Sequence, residues 1–173
     1  MSFDLSSTVR RGHPIAFGIF ALFSLIVAII SSAVVASFNN NGQPSDKVVR
    51  DSTRFMIFAG WWSFIFSIVY IVLFLTGIGG FLSSIASHAV FIVLTWIFWL
   101  AGSAALSSKV GDVNCSDATK AGAVPYVPSC TAVKTIVAFG WIGWIELTFL
   151  LCIIIMLGVK AFTGGRGVSD GFA

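Results

Sequence analysis

An all-α integral membrane protein, folded as an antiparallel bundle of four transmembrane helices, is the fold class that this sequence predicts. Three observations predict it. Four apolar runs, Pro14 to Phe38, Phe55 to Thr76, Phe81 to Leu106 and Ala132 to Val159, each reach the ~20 residues that cross a hydrocarbon core. The composition is 57% hydrophobic and 10% charged, whereas a soluble domain carries roughly 25% charge. The connections between runs are short or polar, and short connections make consecutive helices antiparallel neighbours. Within lipid every backbone polar group must pair inside its own helix, which leaves little chain for a catalytic domain. Residues 1–173 therefore read as a single membrane domain.

The first run follows Arg10 and Arg11 but is longer than the roughly 7–15 apolar residues of a signal peptide, so it reads as a retained helix. Pro14 predicts that the helix begins there, because the amides of a first turn lack partners anyway. Asn39 to Thr53 reads as a loop, with turn chemistry in NNNGQP and water-loving Asp46, Lys47, Arg50 and Asp51. Gly77, Ile78, Gly79 and Gly80 join the second and third runs. Ser107 to Thr131 is the longest connection, and the glycine-rich KAFTGGRGVSDGFA ending reads as a flexible tail.

Cys115 and Cys130 both fall in that long loop, at a separation that can close a disulfide. Asn114, Cys115 and Ser116 form a candidate acceptor for N-glycosylation. Both features belong on the oxidising side of a membrane, which makes loop 107–131 extracytoplasmic and puts both tails in the cytoplasm. The alternative is a pair of free thiols beside a chance sequon. The positive-inside rule points the other way: Lys47, Arg50, Arg54, Lys109, Lys120 and Lys134 then lie outside, against Arg10, Arg11, Lys160 and Arg166 inside. The cysteines take precedence here, and the arginine pair ahead of the first helix agrees with them.

Inside the spans, Trp61, Trp62, Trp96, Trp99, Trp141 and Trp144 fall within about 8–18 Å of the same end of the bundle at 1.5 Å per residue. They form a tier mixed with glycines such as Gly102, which reads as close interhelix packing or as a groove for lipid or sterol. Small residues recur every four positions as Ser24, Ala28, Ser32 and Ala36, and as Ala59, Ser63 and Ser67, giving ladders for helix contact within the bundle or between copies. Glu146 lies about 18 Å below Lys134, near the midplane, where a carboxyl must face the bundle and be protonated or paired. Ser63, Ser67, Tyr70, Thr95 and, more distantly, His88 are its expected partners. His88 reads as a structural histidine of the bundle.

No spacing of His, Cys and carboxylates suggests a metal site, and no nucleophile, base and orienting group stand together, so an enzyme is not expected and no cofactor is implied. The net charge of +3 is spread over both ends, unlike the clustered basic face of a nucleic-acid binder.

The end of the third run, WIFWLAGSAAL, then a loop with two cysteines, then CTAVKTIVAFGWIGWIE from Cys130 to Glu146, resembles the MARVEL family of tetraspan membrane proteins. The likeness is greatest to its small fungal members, which are little more than four helices. Claudin-like proteins carry their cysteine pair in the first loop, and tetraspanins carry Cys-Cys-Gly in the large loop; neither pattern is present. In the resemblance Cys115 and Cys130 match the family's paired cysteines, and Trp99, Gly102 and Ser103 match its small and aromatic stretch. It implies a non-enzymatic scaffold of the plasma membrane or a secretory vesicle membrane. Such a scaffold organises microdomains by lateral self-association as a homo-oligomer and by packing with lipids, sterol among them. An accessory subunit of a larger membrane complex is the alternative, followed by a small transporter or channel that uses Glu146.

Overall fold

The structure is a computed structural model that describes residues 5–76, 85–120 and 122–163. The glycine link 77–80 and the tail from Gly164 lie outside the described residues. Helices α1 (Leu5–Asn41), α2 (Lys47–Thr76), α3 (Ile85–Val110) and α5 (Cys130–Thr163) are each long and apolar enough to cross a membrane, and α4 (Cys115–Ala118) is one turn in the long loop. They close a ring in which α1 packs on α2, α2 on α3, α3 on α5 and α5 on α1. The α1/α2 and α3/α5 pairs are the broadest seams.

Helices α1, α2 and α5 start earlier than the apolar runs that announce them. Helix α1 continues for nine residues before Pro14, so the proline is interior and not at the first turn. A proline there removes one backbone bond, to the carbonyl of Arg10, and the polar turns before it stay helical. Helix α2 takes in Lys47 to Thr53, the second half of the segment that reads as a loop in the sequence. Its start is fixed by Asp46, whose carboxylate accepts the Val48 amide at 2.7 Å, an aspartate supplying the acceptor that a helix N-terminus lacks.

Close approach between helices is set at small residues. A methyl group added at Gly60 of α2 would lie 2.9 Å from the Ala28 backbone nitrogen of α1, so only glycine lets these backbones meet. On α5, a methyl group at Gly143 would overlap the ring of Trp99, and one at Gly140 the hydroxyl of Ser103.

Opposite the tails, the two loops lock together. The Ser45 amide donates to the Tyr126 carbonyl at 2.9 Å, and the Tyr126 amide donates to the Ser45 hydroxyl at 2.9 Å. The Tyr126 phenol donates to the Asn41 carbonyl at 2.8 Å, and the hydroxyls of Ser37 and Ser129 share a bond of 2.7 Å. Cys115 and Cys130 are joined as a disulfide with Cα atoms 5.4 Å apart, which ties α4 to the first residue of α5. Closing a loop of 15 residues removes disorder from the unfolded chain equivalent to about 3 kcal/mol. Replacing both cysteines with serine is expected to lower stability by about that amount in thermal unfolding of detergent-solubilised protein, with the four spans still helical by circular dichroism.

Candidate functional site

Trp99 occupies the centre of the bundle. It projects from α3, is fully buried, and meets each of the other three spans: its indole N–H donates to the Ser63 hydroxyl of α2 at 2.8 Å, its ring lies 5.3 Å from that of Phe20 on α1, and its six-membered ring fills the space above Gly143 on α5. Ser63 can accept because its own proton goes to the Ala59 carbonyl one turn back at 2.7 Å. An indole donates only, and a serine committed to its own helix offers lone pairs, so the two are complementary.

The same pairing recurs along the seams. Trp62 of α2 donates to the Thr95 hydroxyl of α3 at 3.3 Å, Trp96 of α3 to Thr148 of α5 at 2.9 Å, and Trp141 of α5 to Ser107 of α3 at 2.8 Å. Thr148, like Ser63, sends its proton to the carbonyl one turn back, that of Trp144, at 2.9 Å. The sequence reading did not find these hydroxyl partners. Their residue types were visible, but which of them face a tryptophan depends on how neighbouring helices are rotated.

The tryptophans therefore share a depth but do not line one groove. Trp62 packs on Phe66 at 4.2 Å in the α2/α3 seam, whereas Trp96, Trp144 and Trp141 follow one another in the α3/α5 seam at 5.4 and 5.5 Å. Trp61 is 40% exposed on the outer face, because adjacent helical residues point about 100° apart and Trp62 takes the seam. Gly102 is buried against the Met56 thioether of α2.

The ladders also change meaning. Ser24, Ala28, Ala59, Ser63 and Ser67 are fully buried inside a single chain. They are not a surface for a second copy, and bulky substitutions at Ala28 or Ser63 would strike the fold itself. Ser32 is half-buried with its hydroxyl on the Ala28 carbonyl at 2.7 Å, and Ala36 is exposed, while Ser31 is buried in their place. A four-residue step overshoots a turn by about 40°, so two or three steps walk off the contact face.

Glu146 is half-buried, and its Oε2, shielded from contact, has no hydrogen-bond partner among the described residues. The expected bonds to α2 and α3 are not made. Phe139, two turns before Glu146 on the same flank of α5, packs at 6.0 Å on Phe23 of α1. Glu146 thus looks toward the α1/α5 seam, while α3 lies on the other flank and α2 across the ring. Of the expected partners, Ser63 and Thr95 accept indoles and the Tyr70 hydroxyl lies 2.8 Å from that of Ser87, whereas the Ser67 hydroxyl is buried with no hydrogen-bond partner among the described residues. His88 is buried with its ring 4.2 Å from Tyr70 and 6.0 Å from Phe17, a core histidine in an aromatic cluster.

At the loop end the basic residues have local uses. Lys109 pairs with Asp46 at 3.0 Å, and the hydrogen bond from its ammonium, with that from the Val48 amide, holds the Asp46 carboxyl below its usual range. Arg50 pairs with Asp51 at 2.9 Å and Lys120 with Asp117 at 2.8 Å. Lys134 donates to the Gly111 carbonyl at 3.1 Å, where a cation complements the C-terminal end of α3. Four of the six cations that weigh against the positive-inside rule thus serve the loop itself. Asn114 is exposed and its carbonyl oxygen accepts the Ser116 amide at 3.2 Å, capping α4. Among the described residues no three His, Cys, Asp or Glu side chains gather to hold a metal.

Fold and interior together define a four-helix integral membrane protein whose buried polar groups tie helix to helix. The chain belongs to the MARVEL family, a non-enzymatic group whose sequence model, described as a membrane-associating domain, matches residues 14–154. No curated protein and no solved structure matches the chain.

Trp99→Phe keeps the ring and loses the N–H, so unfolding in detergent is expected to show a loss of about 1 kcal/mol. Trp99→Ala opens the contact with three helices at once and is expected to cost about 3–5 kcal/mol. Equal losses from the two variants would contradict a role for ring packing.

Proposed function

We propose that this protein is a non-enzymatic membrane scaffold that packs laterally with copies of itself and with lipid, sterol being one candidate, in the plasma membrane or a secretory vesicle membrane. One observation carries the reading. Within the bundle Trp62, Trp96, Trp99 and Trp141 are bonded to hydroxyls of neighbouring helices and Trp99 fills the centre, so the surface available for work is the perimeter facing lipid and neighbours. That perimeter carries large apolar side chains on all four spans, among them Leu22, Phe58, Val90 and Phe149. The family's membrane-associating character supports the same direction.

A role as accessory subunit draws on Glu146, whose buried oxygen lacks a partner among the described residues. A transport role for Glu146 draws less: the carboxyl sits on the flank of α5, and the axis of the bundle is occupied by Trp99 and Phe20.

Mass spectrometry of the complex extracted in native lipid nanodiscs tests the scaffold reading. The expected result is a homo-oligomer that retains lipid. A lipid-poor monomer would overturn it, and a second protein at fixed stoichiometry would replace it with the accessory-subunit reading.

A further inference from the structure

The turn that opens α4 holds the Asn114 side chain by one end. Its Oδ1 accepts the Ser116 amide at 3.2 Å and the Ser116 hydroxyl at 2.9 Å. A backbone amide only donates, so the carboxamide oxygen must face it and the Nδ2 end is left over. Among the described residues Nδ2 makes no hydrogen bond. Asn114 is exposed and lines an open cleft whose charged members are Asp112, Asp117 and Lys120. A bulky polar group on Nδ2 therefore has room and leaves the cap of α4 intact. Depth agrees, because the 24 residues of the α3 span, Ser87–Val110, rise about 36 Å against the ~30 Å of a hydrocarbon core, and Asn114 follows its end.

We propose that Asn114 is a site of N-glycosylation, filled during synthesis before Cys115 closes on Cys130, and that the folded loop carries the glycan without giving up the α4 cap. Asn114, Cys115 and Ser116 supply the acceptor motif, and the Cys115–Cys130 bond supports a place for the loop on the oxidising side, where this modification is made. In the transfer, Nδ2 bonds to the anomeric carbon of a sugar carried on a lipid pyrophosphate. The carbon–oxygen bond to the pyrophosphate breaks and the pyrophosphate leaves with the electron pair, while an amide proton passes to a base of the transferring enzyme. Two observations set the order. In the folded loop the Ser116 hydroxyl is committed to Oδ1 and Cys115 is tied to the head of α5, so the motif is not free to extend into the site of an enzyme. During synthesis Cys115 emerges 15 residues ahead of Cys130, which leaves about 1–3 s at roughly 5–20 residues per second in which the motif is open and the disulfide has no second half.

The test expresses the whole chain in a eukaryotic host and compares electrophoretic mobility before and after peptide-N-glycosidase for wild type, Asn114→Gln, Ser116→Ala and Cys130→Ser. The expected result is a wild-type shift that the glycosidase removes and that Asn114→Gln and Ser116→Ala both lack. Ser116→Ala keeps the backbone amide that Asn114 caps, so loss of the shift there reports the motif and not a misfolded loop. After denaturation the glycosylated wild type should take up a thiol reagent once, at Cys152, because Cys115 and Cys130 are paired. Cys130→Ser, which leaves the motif whole, should be glycosylated at least as fully as wild type. A wild type without the shift would overturn the proposal and leave the scaffold reading, which oligomeric mass tests, in place. A shift confined to Cys130→Ser would mean that the disulfide closes first and shuts the site. Reaction of all three cysteines on the glycosylated chain would mean that glycan and disulfide exclude each other. Either of these two results also overturns the proposal.

Discussion

The structure depends on the way a single indole, that of Trp99, is held by three other helices in a solvent that gives helices little reason to associate. Lipid tails are as apolar as leucine, so burying apolar surface between spans gains little, and cohesion rests on tight packing and on hydrogen bonds that have no competitor in the hydrocarbon. Trp99 supplies both. Its ring fills the middle of the bundle against Phe20 and the space above Gly143, and its N–H reaches Ser63 at 2.8 Å. If the ring moved outward, the N–H would lose its acceptor and α5 would lose the knob that its glycine receives.

The other features follow from that arrangement. Hydroxyls that donate to their own helix one turn back become acceptors for neighbouring tryptophans, as at Ser63 and Thr148, so a side chain that satisfies its own helix also joins a seam. Gly60 brings α1 and α2 to backbone contact on the opposite side of the ring. The disulfide, the reciprocal bonds of Ser45 and Tyr126, and the Asp46–Lys109 pair then fix the loop end, where water competes and covalent closure counts for more. Among the described residues the hydroxyls of Ser31, Ser67 and Ser103, the Trp144 N–H and Glu146 Oε2 stand outside this scheme, buried without a hydrogen-bond partner.

Much of this was legible in the sequence because hydrophobic length decides membrane spans with little ambiguity. The four helices, their antiparallel order and the Cys115–Cys130 bond follow from run length, loop length and cysteine placement. The start of α2 was missed because Lys47, Arg50 and Asp51 read as loop, although an aspartate at position 46, just before the apolar pair Val48 and Val49, is a residue type that caps a helix start. The site was less legible. A four-residue ladder looked like one continuous face, but the 3.6-residue turn carries Ser32 and Ala36 off it. Glu146 was assigned partners by depth alone, and depth fixes one coordinate of two. The rotation of α5 about its axis, which turns Glu146 toward α1 and away from Thr95 and Ser63, is set by packing at Gly140, Gly143 and Phe139 and cannot be read from one helix in isolation.

A double-mutant cycle between Trp99 and Ser63 tests the central claim most directly, using Trp99→Phe, Ser63→Ala and the pair, with unfolding free energies measured in one detergent system. The account predicts that the two substitutions are coupled by about 1 kcal/mol, each removing the same hydrogen bond. Strict additivity would contradict it. Trp99 would then be held by shape alone, and the pairing of indoles with hydroxyls would not be the principle on which the bundle is built.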